Sequence, residues 1–460
     1  MATSKFSALL VCVFSVLIRL SVSDGSCSVG INYGRVADDL PSPDKVVQLL
    51  KNQGITRVKL YDTDSAVLGA LSGSGIATTV ALPNEQLSAA AAGQAFTDAW
   101  VQAHIIPYRS IIEAVAVGNE VFVDPANTTA FLVPALRNVY ASLEKYGVAS
   151  SVKVSSPIAL SALQTSYPSS SGSFKPELVE PVIKPMLSLL KQTGSFLMVN
   201  AYPFFAYEAN TDTISLDYAL FRDSTGGVVD PNNGLVYRSL LEAQLDAVFA
   251  AMNAVGFGDV RVVVSETGWP SKGDENEAGA SAANAEAYNG NLVRRVGTCG
   301  GTPLRPDQPL NVYLFALFNE NQKPGPSSER NYGLFYPNEQ KVYQISLGLA
   351  GGPINNGSKA QVFPPRAGQT WCVASAYAAE EKLQAALDYA CGEGGADCGP
   401  IQPGATCYNP NSLDAHASYA FNSYYQKKSR SAGSCDFGGA AHVVTHPPPK
   451  IGTCKYPTRY

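Results

Sequence analysis

Eight short apolar runs, each separated from the next by a longer segment, constrain the fold of this chain more than any other feature. The runs favour β-strands, and several of the intervening segments have the apolar spacing of amphipathic helices. The predicted strands cover residues 29–32, 57–61, 76–82, 113–118, 152–155, 196–201, 261–265 and 311–318. The predicted helices include residues 44–52, 130–145, 181–192, 239–254 and 282–296. This alternation is typical of an α/β fold with a parallel sheet.

Eight βα units predict a closed (β/α)8 TIM barrel. Such barrels take about 250 residues or more, and the span 28–349 accommodates one. The main alternative is a doubly wound open sheet, which usually has a phosphate-binding glycine turn after its first strand. The chain contains no Gly-x-Gly-x-x-Gly or Walker-type loop, so the barrel is favoured.

The N-terminus has the features of a secretory signal. Lys5 precedes the apolar run 6–18, and the small residues Ser21 and Ser23 follow it. Arg19 ends the run well short of the roughly 20 residues that a membrane anchor needs. We therefore predict a signal peptide at 1–23 and secretion to the extracellular space or cell wall. The C-terminus has no hydrophobic tail for a lipid anchor.

The amino-acid composition of the chain changes after residue 350. Glycine, proline and asparagine dominate 351–368, which predicts a linker between the barrel domain at 24–350 and a second domain at 369–460. Six of the eight cysteines that remain after signal removal lie in this last domain. We expect a small, mainly helical module held by three disulfides. The spacing of its six cysteines alone leaves 15 possible pairings. The sequons at Asn127 and Asn356 predict glycosylation.

Two predicted strands each deliver a carboxylate at the C-terminal end. Glu120 follows the fourth strand and Glu266 follows the seventh. In a barrel these ends form the catalytic face. Two facing carboxylates are what glycoside hydrolysis requires, with one protonating the leaving oxygen and the other attacking or supporting the developing cation. The alternative is that each glutamate caps a helix or pairs with a lysine.

Aromatic side chains lie at or just after the predicted strand ends. Rings there suit the apolar faces of sugars, whereas the alternative is ordinary loop packing. These residues are Tyr33, Tyr61, Tyr202, Phe204, Phe205 and Trp269.

The sequence lacks the residues that other functions would need. A net charge of −5 makes nucleic acid an unexpected partner. No Gly-x-Ser-x-Gly motif exists, and a catalytic triad would have to use His104 in the middle of a predicted helix. His442 and His446 have metal-ligand spacing, but the residues around them disfavour a helix. We expect no metal and no cofactor.

Four stretches around the two glutamates have a recognisable sequence: VGINYGRVAD at 29–38, VGNEV at 117–121, VSETGWPSKG at 264–273 and FALFNENQKPGPSSERNYGLF at 315–335. Over residues 28–349 the chain resembles the plant endo-1,3-β-glucanases of glycoside hydrolase family 17. The resemblance implies a (β/α)8 barrel and endo cleavage of 1,3-β-glucan, such as callose, with retention of configuration. It makes Glu120 the acid/base and Glu266 the nucleophile.

The resemblance also implies residues around the reacting groups. It places Glu320, Lys323 and Glu329 near the nucleophile, where they would tune its charge. It implies that Asn119 contacts the 2-hydroxyl of the bound sugar. We add Tyr33, Tyr202 and Trp269 as predicted substrate-binding residues.

The segment 371–454 resembles carbohydrate-binding module family 43. This resemblance implies the pairs Cys372–Cys435, Cys391–Cys398 and Cys407–Cys454, and the hypothesis that the module binds 1,3-β-glucan on an insoluble wall polymer. Independently, Cys27 and Cys299 precede the first and eighth strands, which are neighbours in a closed barrel. A disulfide between them is predicted.

Three functions stay open at this point. The first is a hydrolase of 1,3-β-glucan, acting as a monomer. The second is a non-catalytic glucan-binding wall protein, and the third is a transglycosylase that uses the same residues. The preference between 1,3-linked and mixed-linkage glucans, and roles such as plant defence, are not encoded in any motif.

Overall fold

The computed structural model describes residues 27–222, 226–347, 370–375, 378, 380–409, 411–431, 434–444 and 454–458. The chain divides into two compact units, Met1–Ile354 and Asn355–Tyr460. The predicted signal peptide, the linker 351–368, Asn356 and His446 lie outside the described residues. No described helix is long and apolar enough to cross a membrane.

The first unit is a parallel barrel of eight strands. In chain order they are Ser28–Tyr33, Arg57–Leu60, Ala77–Leu82, Ile112–Val117, a fifth strand in two pieces, Phe196–Asn200, Arg261–Thr267 and Asn311–Leu314. The first strand pairs with both the second and the eighth. The predicted (β/α)8 class is confirmed.

The fifth strand closes the ring in two pieces. Lys153–Ser155 pairs with the fourth strand, and Pro157–Ala159 pairs with the sixth. Ser156 lies between the pieces and is fully buried. Because the two pieces are consecutive in the chain, the fifth strand as a whole has a neighbour on each side and the barrel is nearly closed.

Helices surround the barrel and cover the outer faces of the strands. The longer ones are Pro43–Asn52, Gln94–His104, Leu132–Lys145, Lys184–Gln192, Leu240–Ala254 and Ala282–Gly297. Ser239 and Ser281 cap the last two, since each side chain accepts a hydrogen bond from a backbone N–H of the first turn. The chain also forms Ser65–Leu71 and Leu87–Ala92, which the apolar spacing did not predict.

Three predicted boundaries were wrong. The helix expected from residue 181 becomes regular only at Lys184, after a π-helical turn at Val179–Ile183, because Pro181 and Pro185 cannot donate backbone hydrogen bonds. The eighth strand ends at Leu314 instead of continuing to residue 318. The seventh strand runs on to Thr267 and has a register shift between Val264 and Glu266, so Glu266 lies inside it.

A polar cluster fills the N-terminal end of the barrel. The Nε of Arg57 donates to Glu113 at 3.0 Å, and the hydroxyl of Tyr313 donates to the same carboxylate at 2.7 Å. Cys27 and Cys299, which precede the first and eighth strands, form a disulfide. This end is closed, so any pocket on the barrel axis opens at the C-terminal ends of the strands.

The second unit is a small disulfide-linked module. Two helices, Glu380–Cys391 and Leu413–Lys427, accompany an antiparallel pair of strands, Trp371–Ala374 and Ala441–Val444. The module was predicted to be mainly helical, and this pair of strands was not predicted. The disulfides are Cys372–Cys435, Cys391–Cys398 and Cys407–Cys454, the same pairs that the resemblance implied.

Candidate active site

A cavity of about 930 Å³ opens at the C-terminal ends of the barrel strands. This volume suits several sugar units. Its lining combines carboxylates and aromatic rings: Glu120, Glu266, Glu320 and Glu329, with Tyr61, Tyr202, Phe205, Phe315 and Tyr332. The structure thus brings both predicted catalytic glutamates into one pocket.

Glu266 lies at the floor of this pocket and both of its oxygens have partners. The Nζ of Lys59 donates to Oε1 at 2.9 Å, and the hydroxyl of Tyr202 donates to Oε2 at 2.7 Å. Lys59 is 1% exposed and Glu266 is 6% exposed. The register shift within the seventh strand is the kind of irregularity that re-aims a side chain next to an active site.

The net effect of these neighbours is to lower the pKa of Glu266. Burial acts to raise the pKa, but the charge of Lys59, followed by hydrogen bonds from surrounding side chains, outweighs it. Burial in turn lowers the pKa of Lys59, and the carboxylate opposes that change. The 2.9 Å contact therefore favours an ion pair with an ionised Glu266.

Glu120 lies just beyond the fourth strand in an unusual backbone conformation. It has φ 50° and ψ 40°, in the left-handed region, and Gly118 before it has φ 68°. A Cβ at Gly118 would lie 2.5 Å from the Val121 side chain, so glycine is required there. The turn lets the N–H of Glu120 donate to the carbonyl of Pro157 at 2.9 Å.

The carboxylate of Glu120 has a different environment from that of Glu266. Its Oε1 accepts a hydrogen bond from Nδ2 of Asn200 at 2.8 Å. Burial raises the pKa of Glu120, and the nearby charge of Glu266 raises it further. One carboxyl group is therefore biased towards the proton-bearing form and the other towards the ionised form, as acid and nucleophile must be.

The residues of the eighth-strand motif also reach the pocket. Lys323 Nζ is 3.4 Å from Glu329 Oε2 and 4.2 Å from the centre of the Phe315 ring. Glu320 accepts a hydrogen bond from the N–H of Val36 at 2.8 Å, and burial raises its pKa. Each of the three predicted charged residues lines the cavity.

Asn119 lines the cavity beside Glu120 and is held by Asn84. The N–H of Asn119 donates to Oδ1 of Asn84 at 2.8 Å, and Nδ2 of Asn84 donates to the carbonyl of Asn119 at 3.0 Å. This double contact fixes the backbone immediately before Glu120.

Two predicted substrate-binding residues are not in the pocket. Trp269 is fully buried, and its Nε1 donates to the carbonyl of Gly279 at 2.8 Å. Tyr33 is 3% exposed and packs edge-on against Phe318. Neither has a surface on which a sugar could stack, so the prediction of direct contact is corrected. Trp269 instead supports Phe204, at a ring distance of 5.2 Å.

The sequence reasoning missed two residues that contact the glutamates, Lys59 and Asn200. Asn200 ends the sixth strand after an apolar run, whereas Lys59 lies inside the second strand, one residue before its end. A search for any polar residue at a strand end, instead of carboxylates alone, would have found Asn200, and a search for charged residues inside the predicted strands would have found Lys59.

Other predicted sites have a simpler outcome. Asn127 is exposed, with φ 52°, and its glycosylation stays a prediction. Among the residues that the structure describes, no three histidine, cysteine or acidic side chains are grouped to hold a metal ion.

A (β/α)8 barrel with two carboxyl groups of opposed pKa in one cleft defines the class of the glycoside hydrolases. The chain belongs to glycosyl hydrolases family 17, whose sequence pattern matches residues 29–347. A second pattern, the X8 domain, matches residues 370–442. The predicted family and its appended module are confirmed.

Curated relatives match along nearly the whole chain. Glucan endo-1,3-beta-glucosidase 13 of Arabidopsis thaliana is 42% identical over 454 residues, covering 97% of this chain and 88% of the relative. A glucan endo-1,3-beta-D-glucosidase of Olea europaea is 37% identical and covers 99% of both chains.

Solved structures match the barrel. CJP38, a beta-1,3-glucanase and allergen of Cryptomeria japonica pollen, has a TM-score of 0.67 at 39% identity, covering 70% of this chain and 99% of its own. One of two plant beta-glucan endohydrolases with distinct substrate specificities has a TM-score of 0.64 at 38% identity, with coverage of 69% and 99%.

Proposed function

We propose that this protein is a secreted endo-hydrolase of 1,3-β-glucan that works by retaining double displacement. The observation that carries the mechanism is the pair of glutamates in one cavity with opposite pKa shifts. The substrate and the endo mode are taken from the names of relatives that align with almost the full chain.

In the first step the ionised Glu266 attacks the anomeric carbon, and Glu120 gives its proton to the departing glycosidic oxygen. A covalent glycosyl-enzyme ester forms and the sugar chain is cut. In the second step Glu120, now ionised, takes a proton from water as that water attacks the same carbon, and Glu266 leaves as a carboxylate. Two inversions restore the original configuration.

The surroundings of Glu266 suit the departure of this group. Lys59 and Tyr202 together hold one hydrogen bond to each oxygen, so the carboxylate is oriented before substrate arrives. The same contacts stabilise the charge that reappears when the ester breaks. Rings such as the half-exposed Phe205 supply the apolar surface on which sugars stack.

The second unit has a surface that fits a glucan-binding role. Tyr389 is 46% exposed and lies 6.1 Å from the Tyr424 ring and 6.4 Å from Phe437, measured between ring centres. Phe437 stacks at 4.2 Å on the buried Phe421, which fixes the ring cluster. These rings border a cavity of about 410 Å³, and we assign it to the polysaccharide.

Secretion is part of the same proposal. An N-terminal apolar segment and four disulfides fit an oxidising compartment, which for this substrate is the extracellular space or cell wall.

The deciding experiment measures reducing ends released from a soluble 1,3-β-glucan by wild type and by Glu266→Gln. We expect activity in the wild type and a loss on the order of 10⁴-fold or more in the variant. Glu177→Gln, at an exposed position, is the matched control and should be as active as wild type. Proton NMR of the first product should show the β-anomer.

Each alternative has its own signature in these measurements. A wild type that is inert on both 1,3-linked and mixed-linkage glucans would favour the non-catalytic binding protein. Products longer than the substrate, detected by mass, would show transglycosylation. An α-anomer as first product would contradict the double displacement.

The module is tested in the full chain by sedimentation with insoluble 1,3-β-glucan. Tyr389→Ala should lower the bound fraction several-fold, because the stacking of one aromatic ring on its partner contributes about 1 kcal/mol. Tyr336→Ala is the control, because Tyr336 is 43% exposed but lies in the first unit. Equal retention of both variants would contradict the assignment of this surface.

A further inference from the structure

We propose that Asn200 is a positioning residue that decides which oxygen of Glu120 carries the acid proton, and that Ser265 holds Asn200 in the required orientation. The inference rests on the proposed function, because it assigns how the acid of that reaction is prepared. It concerns a buried side chain at the end of the sixth strand, 2% exposed.

The two ends of the Asn200 amide face different partners. Its Nδ2 lies 2.8 Å from Oε1 of Glu120 and 3.4 Å from Oδ1 of Asn119. Its Oδ1 accepts a hydrogen bond from the hydroxyl of Ser265 at 2.7 Å. Two acceptors on one side require the NH2 group there, since an amide oxygen has no proton to offer either of them.

This orientation leaves only one place for the acid proton. Oε1 of Glu120 is engaged as an acceptor whether the carboxyl group is neutral or ionised. The proton of the neutral form therefore resides on Oε2, and that oxygen must face the glycosidic bond. Without Asn200 the proton could occupy either oxygen, and a share of the enzyme would present the wrong one.

Asn200 also limits how far the pKa of Glu120 rises. Burial and the charge of Glu266 raise the pKa, whereas the hydrogen bond from Asn200 stabilises the ionised form and opposes them. An acid that must later act as a base needs this limit, because the ionised form has to be accessible in the second step.

Ser265 ties the orientation of the acid to the strand that carries the nucleophile. It precedes Glu266 directly and is fully buried. Its carbonyl accepts from Nδ2 of Asn32 at 3.1 Å, and Oδ1 of Asn32 accepts from the hydroxyl of Tyr61 at 3.0 Å. A set of buried and partly buried hydrogen bonds therefore extends from Glu120 through Asn200 and Ser265 to Asn32 and Tyr61.

The test compares Asn200→Ala with wild type on two substrates as a function of pH. The first is a soluble 1,3-β-glucan, whose leaving group needs a proton. The second is the 2,4-dinitrophenyl glycoside of a 1,3-linked gluco-oligosaccharide, whose leaving group does not. The burst of dinitrophenolate reports the first chemical step alone.

We expect kcat on the glucan to fall by about 10²-fold, while the burst rate changes by less than about fivefold. The basic limb of the pH profile should move to higher pH, because Glu120 loses a donor to its ionised form. Equal losses on both substrates with an unmoved limb, or a limb that moves to lower pH, would overturn the proposal.

Ser265→Ala gives a second, milder test that keeps Asn200 in place. It should shift the basic limb in the same direction and lower kcat on the glucan by about tenfold, the size of one lost buried hydrogen bond. Ser156→Ala is the matched control, because this buried hydroxyl has no hydrogen-bond partner among the described residues. If Ser265→Ala behaves like Ser156→Ala, Ser265 does not hold the amide. Wild type that is inert on both substrates would instead contradict the proposed function.

Discussion

On one side of the pocket Glu266 faces an ammonium group and a phenol hydroxyl, whereas on the other side Glu120 accepts a hydrogen bond from a neutral amide. Burial pushes both pKa values upward. The shifts nevertheless have opposite signs. The charge of the buried Lys59 outweighs burial at Glu266, whereas at Glu120 it only partly offsets the rise in pKa that burial and the ionised Glu266 cause.

The comparison shows that position at a strand end does not decide the role of a carboxyl group. Both glutamates lie near the C-terminal ends of barrel strands, and the second strand distinguishes them by placing Lys59 in direct contact with Glu266. Removing each contact in turn should therefore affect the two sides differently.

Among the variants that leave Glu266 in place, the largest effect is expected for Glu120→Gln. The amide cannot give a proton to the leaving oxygen, so kcat/KM on 1,3-β-glucan should fall about 10³-fold. The dinitrophenyl glycoside should show a much smaller loss in its burst rate. Added azide should restore turnover of that substrate, because it attacks the ester without needing a base. A loss of equal size on both substrates would contradict the acid role.

Lys59→Met should come next in size. It leaves a buried carboxylate without its cation, and unfolding free energy at neutral pH should fall by about 3 kcal/mol. Glu266 in wild type has a lowered pKa, so its contribution to stability is present above the ordinary value and is lost as pH falls through the lowered one. The gap between variant and wild type should therefore narrow in acid.

Calorimetry at several pH values measures this gap. The acidic limb of the activity profile should also move to higher pH, because Glu266 loses the charge that keeps it ionised. Lys191→Met is the control, since Lys191 pairs with Asp259 at 2.8 Å on the surface, where an ion pair contributes little. Equal destabilisation of both variants would contradict a special role for the buried pair.

The sequence allowed the barrel to be predicted because its strands are largely buried and mostly apolar. The prediction failed where an apolar run continues beyond the end of the strand. Residues 315–318 are apolar, yet the backbone leaves the strand at Leu314. The helix Leu87–Ala92 was missed because a run of alanines has no contrast between apolar and polar faces.

The sequence allowed those site residues to be predicted whose side-chain type itself indicates catalysis. Glu120 and Glu266 stood out as carboxylates after apolar runs. Trp269 stood in a similar place, but whether a ring near a strand end faces the pocket or the helices depends on the local backbone. Lys59 and Glu266 are 207 residues apart in the chain and lie on the second and seventh strands. Their contact therefore follows from the closure of the barrel and could not be read from the spacing of residues in the sequence.

Tyr202→Phe should have an intermediate effect. The ring stays in place against Phe315, but Glu266 loses the hydrogen bond on Oε2. A hydrogen bond to a charged group contributes about 2 kcal/mol, so kcat/KM should fall about 30-fold. The acidic limb should move to higher pH while the basic limb stays in place. A shift of the basic limb instead would mean that Tyr202 acts on Glu120.

The smallest expected effect is on the free energy of unfolding, and it compares the two glutamates directly. The raised pKa of Glu120 favours folding below the ordinary pKa, and this contribution is lost as pH rises through the raised value. At neutral pH the ionised side chain therefore opposes folding, and Glu120→Gln should be more stable than wild type by about 1 kcal/mol. Glu266→Gln should be less stable than wild type at the same pH, because Lys59 loses its counter-charge. In acid, where Glu120 is neutral, its variant should lose the advantage. Melting temperatures at neutral and acidic pH test this, and a shift of both variants in the same direction would mean that the two carboxyl groups do not have opposite environments.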